Sequence, residues 1–150
     1  MNKIIPTPRD KHPDPALRGD RISGERYYSK EFMQKEWDSV WTKTWQLVCR
    51  ESDLKYEGSF ITHEIGKESF LIVKGNDGQI RGFYNVCQHR GNKLCQLEEG
   101  ELDTFSCPFH GWKWNNDGSL NSIFAHDLYK QFENVVREKE LGLPEVKLDN

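Results

Sequence analysis

The sequence predicts a mainly β domain of hairpin-linked strands, preceded by one amphipathic helix. Three observations carry this prediction. Apolar residues recur at helical spacing from Ser29 to Thr44, and from Trp45 onward the period changes to two. Gly, with Asn or Asp beside it, punctuates that second region as tight turns require. The length of 150 residues fits one domain, and five Trp and eight Phe supply a core although only 35% of residues are hydrophobic and 30% are charged.

The elements follow in chain order. Residues 1–26 hold four of the six prolines, Pro6, Pro8, Pro13 and Pro15, with charges between them. Proline excludes a helix interior and a central strand, so an extended arm is expected there, either disordered or laid across a neighbouring subunit. The domain proper is expected over 27–150. Ser29 is a candidate N-cap. Phe32, Met33, Trp37, Val40, Trp41 and Thr44 then share one helical face, opposite Lys30, Lys35, Glu36 and Lys43. That aromatic stripe reads as core packing. Strands are expected at 46–50, 59–65, 69–74 and 79–86, with Asn76, Asp77 and Gly78 as a hairpin turn. Short strands follow at 102–106, 112–114 and 119–123, the last entered through Asn115, Asn116, Asp117 and Gly118. Leu128, Phe132 and Val135 suggest a short helix, closed by Gly142 and Pro144. No closing strand is expected after it.

Charge and composition exclude several function classes. A net charge of −3 and a pI near 6.0 argue against a general nucleic-acid binder. No apolar run approaches the roughly 20 residues of a membrane span. Residues 1–10 lack a secretory signal pattern, so a cytoplasmic protein is expected. Four Cys in such a chain read as metal ligands before disulfides.

Two clusters carry the chemistry. The first is Cys87-Gln88-His89-Arg90-Gly91 and the second is Cys107-Pro108-Phe109-His110-Gly111-Trp112, with seventeen residues, 90–106, between His89 and Cys107. Each pairs a thiol with an imidazole and each follows an expected strand, so two strand-end loops can bring four donors together. A two-iron, two-sulfide cluster needs two protein ligands per iron, and here thiolates would hold one iron and imidazoles the other. Two ferric ions, two sulfides and two thiolates sum to no formal charge, whereas four thiolates leave two negative charges, so the mixed set accepts an electron more readily. Gly91 and Gly111 permit a positive φ, and Pro108 stiffens the second loop. Two Cys and two His also suit a structural zinc site, but zinc does not require the flanking Arg-Gly and Gly-Trp.

These motifs resemble the Rieske [2Fe–2S] domain of ring-hydroxylating oxygenase large subunits. The Tyr27/Tyr28 start, the Trp37/Trp41 helix and Leu143-Pro144-Glu145-Val146 extend the resemblance over about residues 27–148. It implies small antiparallel sheets with the cluster at the tips of two hairpin loops, held by Cys87, His89, Cys107 and His110. It implies electron transfer from a ferredoxin or flavin reductase to a mononuclear Fe(II). That iron belongs to a catalytic domain for which residues 111–150 leave no room, in a full-length protein that forms trimers in the family. A self-standing Rieske carrier is the alternative, disfavoured by the helix and arm. Respiratory Rieske proteins carry bridging Cys where Asn92 and Phe109 stand here, and hydroxyl donors where Trp112 and Trp114 stand. A potential at the low end of the Rieske range, about −150 mV, is therefore expected. Arg90 reads as a partner contact or as a solvated charge, and the resemblance favours the contact. Cys49, Cys95, His63 and His126 are expected to be bystanders.

Overall fold

In the computed structural model, residues 24–128 and 138–149 are described. The chain divides into two compact units, Met1–Thr44 and Trp45–Asn150.

In the first unit a 3-10 turn, Gly24–Tyr27, leads into helix α1, Lys30–Glu36. Ser29 caps it as expected, its hydroxyl accepting from the Phe32 N–H at 3.2 Å. The helix then widens into a π turn over Trp37–Trp41, whose end is held by Thr42 Oγ1 donating to the Trp37 carbonyl at 3.1 Å. The aromatic stripe is not core. None of its residues is buried, and Met33 and Trp41 are 58% and 45% exposed. Among the described residues of this unit, a 3-10 turn, seven helical residues and one wide turn give these rings no opposing element. The helix expected around Phe132 and Val135, and most of the arm at 1–26, lie outside the described residues.

The described residues of the second unit form two antiparallel sheets. The larger is ordered β4-β1-β2-β3-β8 and the smaller β5-β6-β7. Their ranges are β1 Ser59–Ile65, β2 Glu68–Lys74, β3 Ile80–Tyr84, β4 Glu99–Glu101, β5 Thr104–Ser106, β6 Lys113–Asn115, β7 Leu120–Ser122 and β8 Glu145–Val146. β2 lies in the middle of its sheet, and its run Leu71, Ile72 and Val73 is wholly buried. A continuous apolar run of this length is what a central strand permits.

Three expectations need correction. Residues 46–50 form no strand. They lead, outside any sheet, into a 3-10 turn at Glu51–Asp53, and Leu47 is 91% exposed. Alternation makes a strand only where a neighbour completes the hydrogen bonds. The expected strand at 102–106 shortens to β5 at 104–106, and β4 at 99–101 precedes it where the sequence predicts no strand. β4 joins β1 in the large sheet and β5 opens the small one, so residues 102 and 103 are the crossover. A closing strand does exist, since Glu145 and Val146 pair with Phe83 and Gly82 on the edge of β3. Two residues show no periodicity, and only the partner reveals them.

The core lies where the sheets meet. Trp114, Phe60, Phe83, Phe105, Leu71 and Val73 are essentially inaccessible, and Phe60 meets Phe105 edge to face at 5.3 Å between centroids. Trp114 keeps its indole N–H satisfied by donating to the Leu141 carbonyl at 2.8 Å. The Asn-Asp-Gly hairpin turns at 76–78 and 116–118 have one design. In each, the Asp carboxylate accepts from the backbone two residues on, and the Gly takes a φ of 75° or 84°. Their tips also touch, Asn116 Nδ2 donating to Asn76 Oδ1 at 2.6 Å, which ties the sheets at that end.

Candidate metal centre

The two Cys/His loops are near copies in backbone. In the first, the N–H of Gly91 donates to the Cys87 carbonyl at 2.9 Å and the N–H of Cys87 to the Asn92 carbonyl at 2.8 Å. In the second, Gly111 donates to Cys107 at 2.9 Å and Cys107 to Trp112 at 2.8 Å. Each Gly has a φ of 71°, the left-handed conformation expected of it. The loops differ in where His falls, two residues after Cys87 and three after Cys107. β3 and the Val86–Lys93 bridge support the first loop, and the β5–β6 hairpin, through the Ser106–Lys113 pair, supports the second.

The four candidate donors stand as two pairs. Cys87 and Cys107 are each 2% exposed, belong to the core, and their thiols contact one another. His89 and His110 are half-buried, with ring centroids 4.6 Å apart and planes at 66°. Trp112 lies flat against His89, 4.6 Å away with planes only 5° apart, and Phe109 packs on His110 at 3.8 Å. Among the described residues no three His, Cys, Asp or Glu side chains gather at one point.

The electrostatics differ by position. Burial pushes the Cys87 thiol above its ordinary value. Burial pushes Cys107 the same way, but the backbone N–H groups of Phe109 and His110, the Cys87 thiol and the Asn92 amide outweigh it and bring that thiol below the ordinary value. Burial, then the neighbouring His110 and Arg90, lower His89, favouring the neutral imidazole that a metal requires.

Neighbours not singled out in the sequence hold the loops. Asn85 is 2% exposed, its Nδ2 donating to the Cys95 carbonyl and its Oδ1 accepting from the Cys95 N–H, both at 2.8 Å. Its own N–H donates to the Ser69 carbonyl at 2.8 Å, so one amide pins the segment beyond the first loop to the sheet. Phe124 covers Gly111, where a Cβ would lie 3.4 Å from it. A lone Asn or Phe carries no positional signal in sequence, and these roles come from contacts across the chain. Cys95 is buried beside Asn85, Cys49 is half-buried, and His63 sits in β1 opposite Phe70. Arg90 is exposed.

Residues 44–133 match the Rieske [2Fe–2S] domain family. The chain belongs to that family, and so is an iron–sulfur electron-transfer domain. Its relatives are oxygenase large subunits. It is 36% identical over 118 residues to the large oxygenase component of the naphthalene 1,2-dioxygenase system of Pseudomonas putida, covering 78% of this chain and 26% of that one. It is 33% identical over 99 residues to the glycine betaine monooxygenase oxygenase subunit of Pseudomonas aeruginosa (strain UCBPP-PA14), covering 66% and 23%. Among solved structures, a quaternary ammonium Rieske monooxygenase superposes with a TM-score of 0.74 at 28% identity, covering 83% of this chain and 33% of that one. The chain thus spans about a quarter of the length of the curated relatives it matches.

Proposed function

We propose that Cys87 and Cys107 ligate one iron of the [2Fe–2S] cluster and His89 and His110 the other, and that this domain is the electron relay of a larger ring-hydroxylating oxygenase. One observation carries the reading: the donors come as a thiol pair in the core and an imidazole pair at the loop tips. A two-iron cluster asks for two protein donors at each iron, whereas one tetrahedral zinc ion asks for four at a single point. The donor chemistry also fits, with soft sulfur on one side and neutral imidazole on the other.

When bound, the cluster supplies reversible one-electron chemistry. The chain's own residues do the rest. The core around Cys87 and Cys107 excludes water from the thiolates. The N–H groups of Phe109 and His110, aimed at Cys107, stabilise negative charge on its sulfur. Trp112 and Phe109 hold the two imidazole planes in place. The half-open His89/His110 edge is where electrons enter and leave.

A ferredoxin or flavin reductase is the donor, and a mononuclear Fe(II) in a separate catalytic domain is the acceptor, within a cytoplasmic homo-oligomer. The naming of the relatives as oxygenase components of multi-part systems supports this. No helix among the described residues is long and apolar enough to cross a membrane. The test is anaerobic reconstitution of the chain, iron and acid-labile sulfide analysis, and EPR after dithionite reduction. Equimolar iron and sulfide with a mixed His/Cys spectrum are expected. Colourless protein binding one zinc ion overturns the proposal.

A further inference from the structure

We infer that Asn92 tunes the reduction potential of the cluster, by donating its side-chain N–H to the Cys107 sulfur from across the opposite loop. The inference rests on the ligand assignment above. Asn92 follows Gly91, whose left-handed φ of 71° turns the chain back, and its own carbonyl accepts the Cys87 N–H at 2.8 Å. The backbone of Asn92 is therefore set by the first loop, while its side chain reaches the second. Nδ2 donates to the Lys93 carbonyl at 2.8 Å and lies 3.9 Å from Cys107 Sγ, within reach of a sulfur acceptor.

A primary amide carries two N–H bonds, so both contacts are made at once. The Lys93 carbonyl also fixes the sense of the amide, because a flip would set Oδ1 against a carbonyl oxygen and a sulfur, both acceptors. The other side-chain amide in the first loop, on Gln88, is engaged elsewhere, its Nε2 donating to the Val86 carbonyl at 3.2 Å.

The direction of the effect follows from charge. Reduction adds one negative charge to a cluster already bearing thiolates, and part of it falls on sulfur. A donor pointed at that sulfur stabilises the reduced form more than the oxidised one, and so raises the potential. Charge-assisted hydrogen bonds are strong enough for about a tenfold change in the reduction equilibrium.

The test is a redox titration of the reconstituted full chain carrying Asn92→Leu, Asn92→Asp or Gln88→Leu, with EPR and iron content measured alongside. Asn92→Leu should lower the midpoint by the equivalent of about tenfold in equilibrium constant, ~59 mV for one electron. Asn92→Asp, close to isosteric, should lower it further because it puts an anion where the donor stood. Gln88→Leu should leave the midpoint in place. Fully loaded Asn92→Leu or Asn92→Asp protein whose midpoint moves by less than the equivalent of twofold in equilibrium constant overturns the inference and leaves the ligand assignment standing. A parent chain that takes up no iron overturns both.

Discussion

Cys95 and Cys107 are equally well buried thiols with different surroundings. Burial raises the Cys95 thiol and outweighs the Leu97 backbone and the Lys93 charge, which pull it down. At Cys107 the balance is reversed, because the backbone N–H groups of Phe109 and His110 and its side-chain neighbours outweigh burial, the pattern that stabilises a thiolate. Cys95→Ser should therefore keep a full complement of iron and the visible spectrum, whereas Cys87→Ser and Cys107→Ser should each lose both, read by absorbance and iron analysis. Trp112 makes a second residue-level case. It is 5% exposed and stacked on His89, so its loss opens a cavity and frees the imidazole plane. Trp112→Leu should cost about 2–4 kcal/mol of stability in thermal unfolding of the loaded protein. It should also shift the EPR g-values, which a merely structural ring would not move.

The hairpin turns, alike in sequence and backbone, differ in what surrounds them. Gly118 has a φ of 84°, and a Cβ there would sit 2.4 Å from the Phe83 ring. Gly78 has a φ of 75° with open space around it. Gly78→Ala should then cost only the left-handed penalty, about 1–2 kcal/mol. Gly118→Ala should add displacement of a core ring, for a total of about 3 kcal/mol or more. Urea unfolding of the two variants side by side checks the difference. The loop-supporting strands make a comparable case. Asn85→Leu leaves both the N–H and the carbonyl of Cys95 without their buried partner, a loss of about 3 kcal/mol. It should also make cluster uptake more labile, measured as the rate of iron release to a chelator. In the first turn, Asp77 is held below the ordinary carboxylate range by Arg81, which grips it with two nitrogens at 2.9 and 2.6 Å.

In the Trp45–Asn150 unit, the two sheets are joined by the core between them and by the Asn76–Asn116 contact of their hairpin tips. The donors come from loops on different sheets, so the centre exists only when the sheets are packed together. Loading should therefore raise the unfolding midpoint of the Trp45–Asn150 unit as a whole, by mass action on the folded state. With Trp112 and Trp114 in place of hydroxyl donors, the midpoint potential should be about −150 mV, and a strongly positive value on titration would remove that expectation.

Much of this was legible in the chain itself. Cys87, His89, Cys107 and His110, with Gly91 and Gly111, announce a Rieske motif because metal chemistry tolerates few ligand sets and a left-handed φ tolerates few residues. The Asn-Asp-Gly turns and the β1 limits at Ser59 and Ile65 could be read because turn chemistry and alternation are local properties. Tertiary structure alone decided what depends on a partner distant in sequence. Residues 46–50 formed no strand, Glu145 and Val146 found the edge of β3, and the aromatic stripe of the first unit stayed out of the core. The clamp of Asn85 on Cys95, the stack of Trp112 on His89 and the reach of Asn92 to Cys107 belong to the same class. A single residue's identity fixes which hydrogen bonds and ring contacts it can make, and only packing fixes with whom.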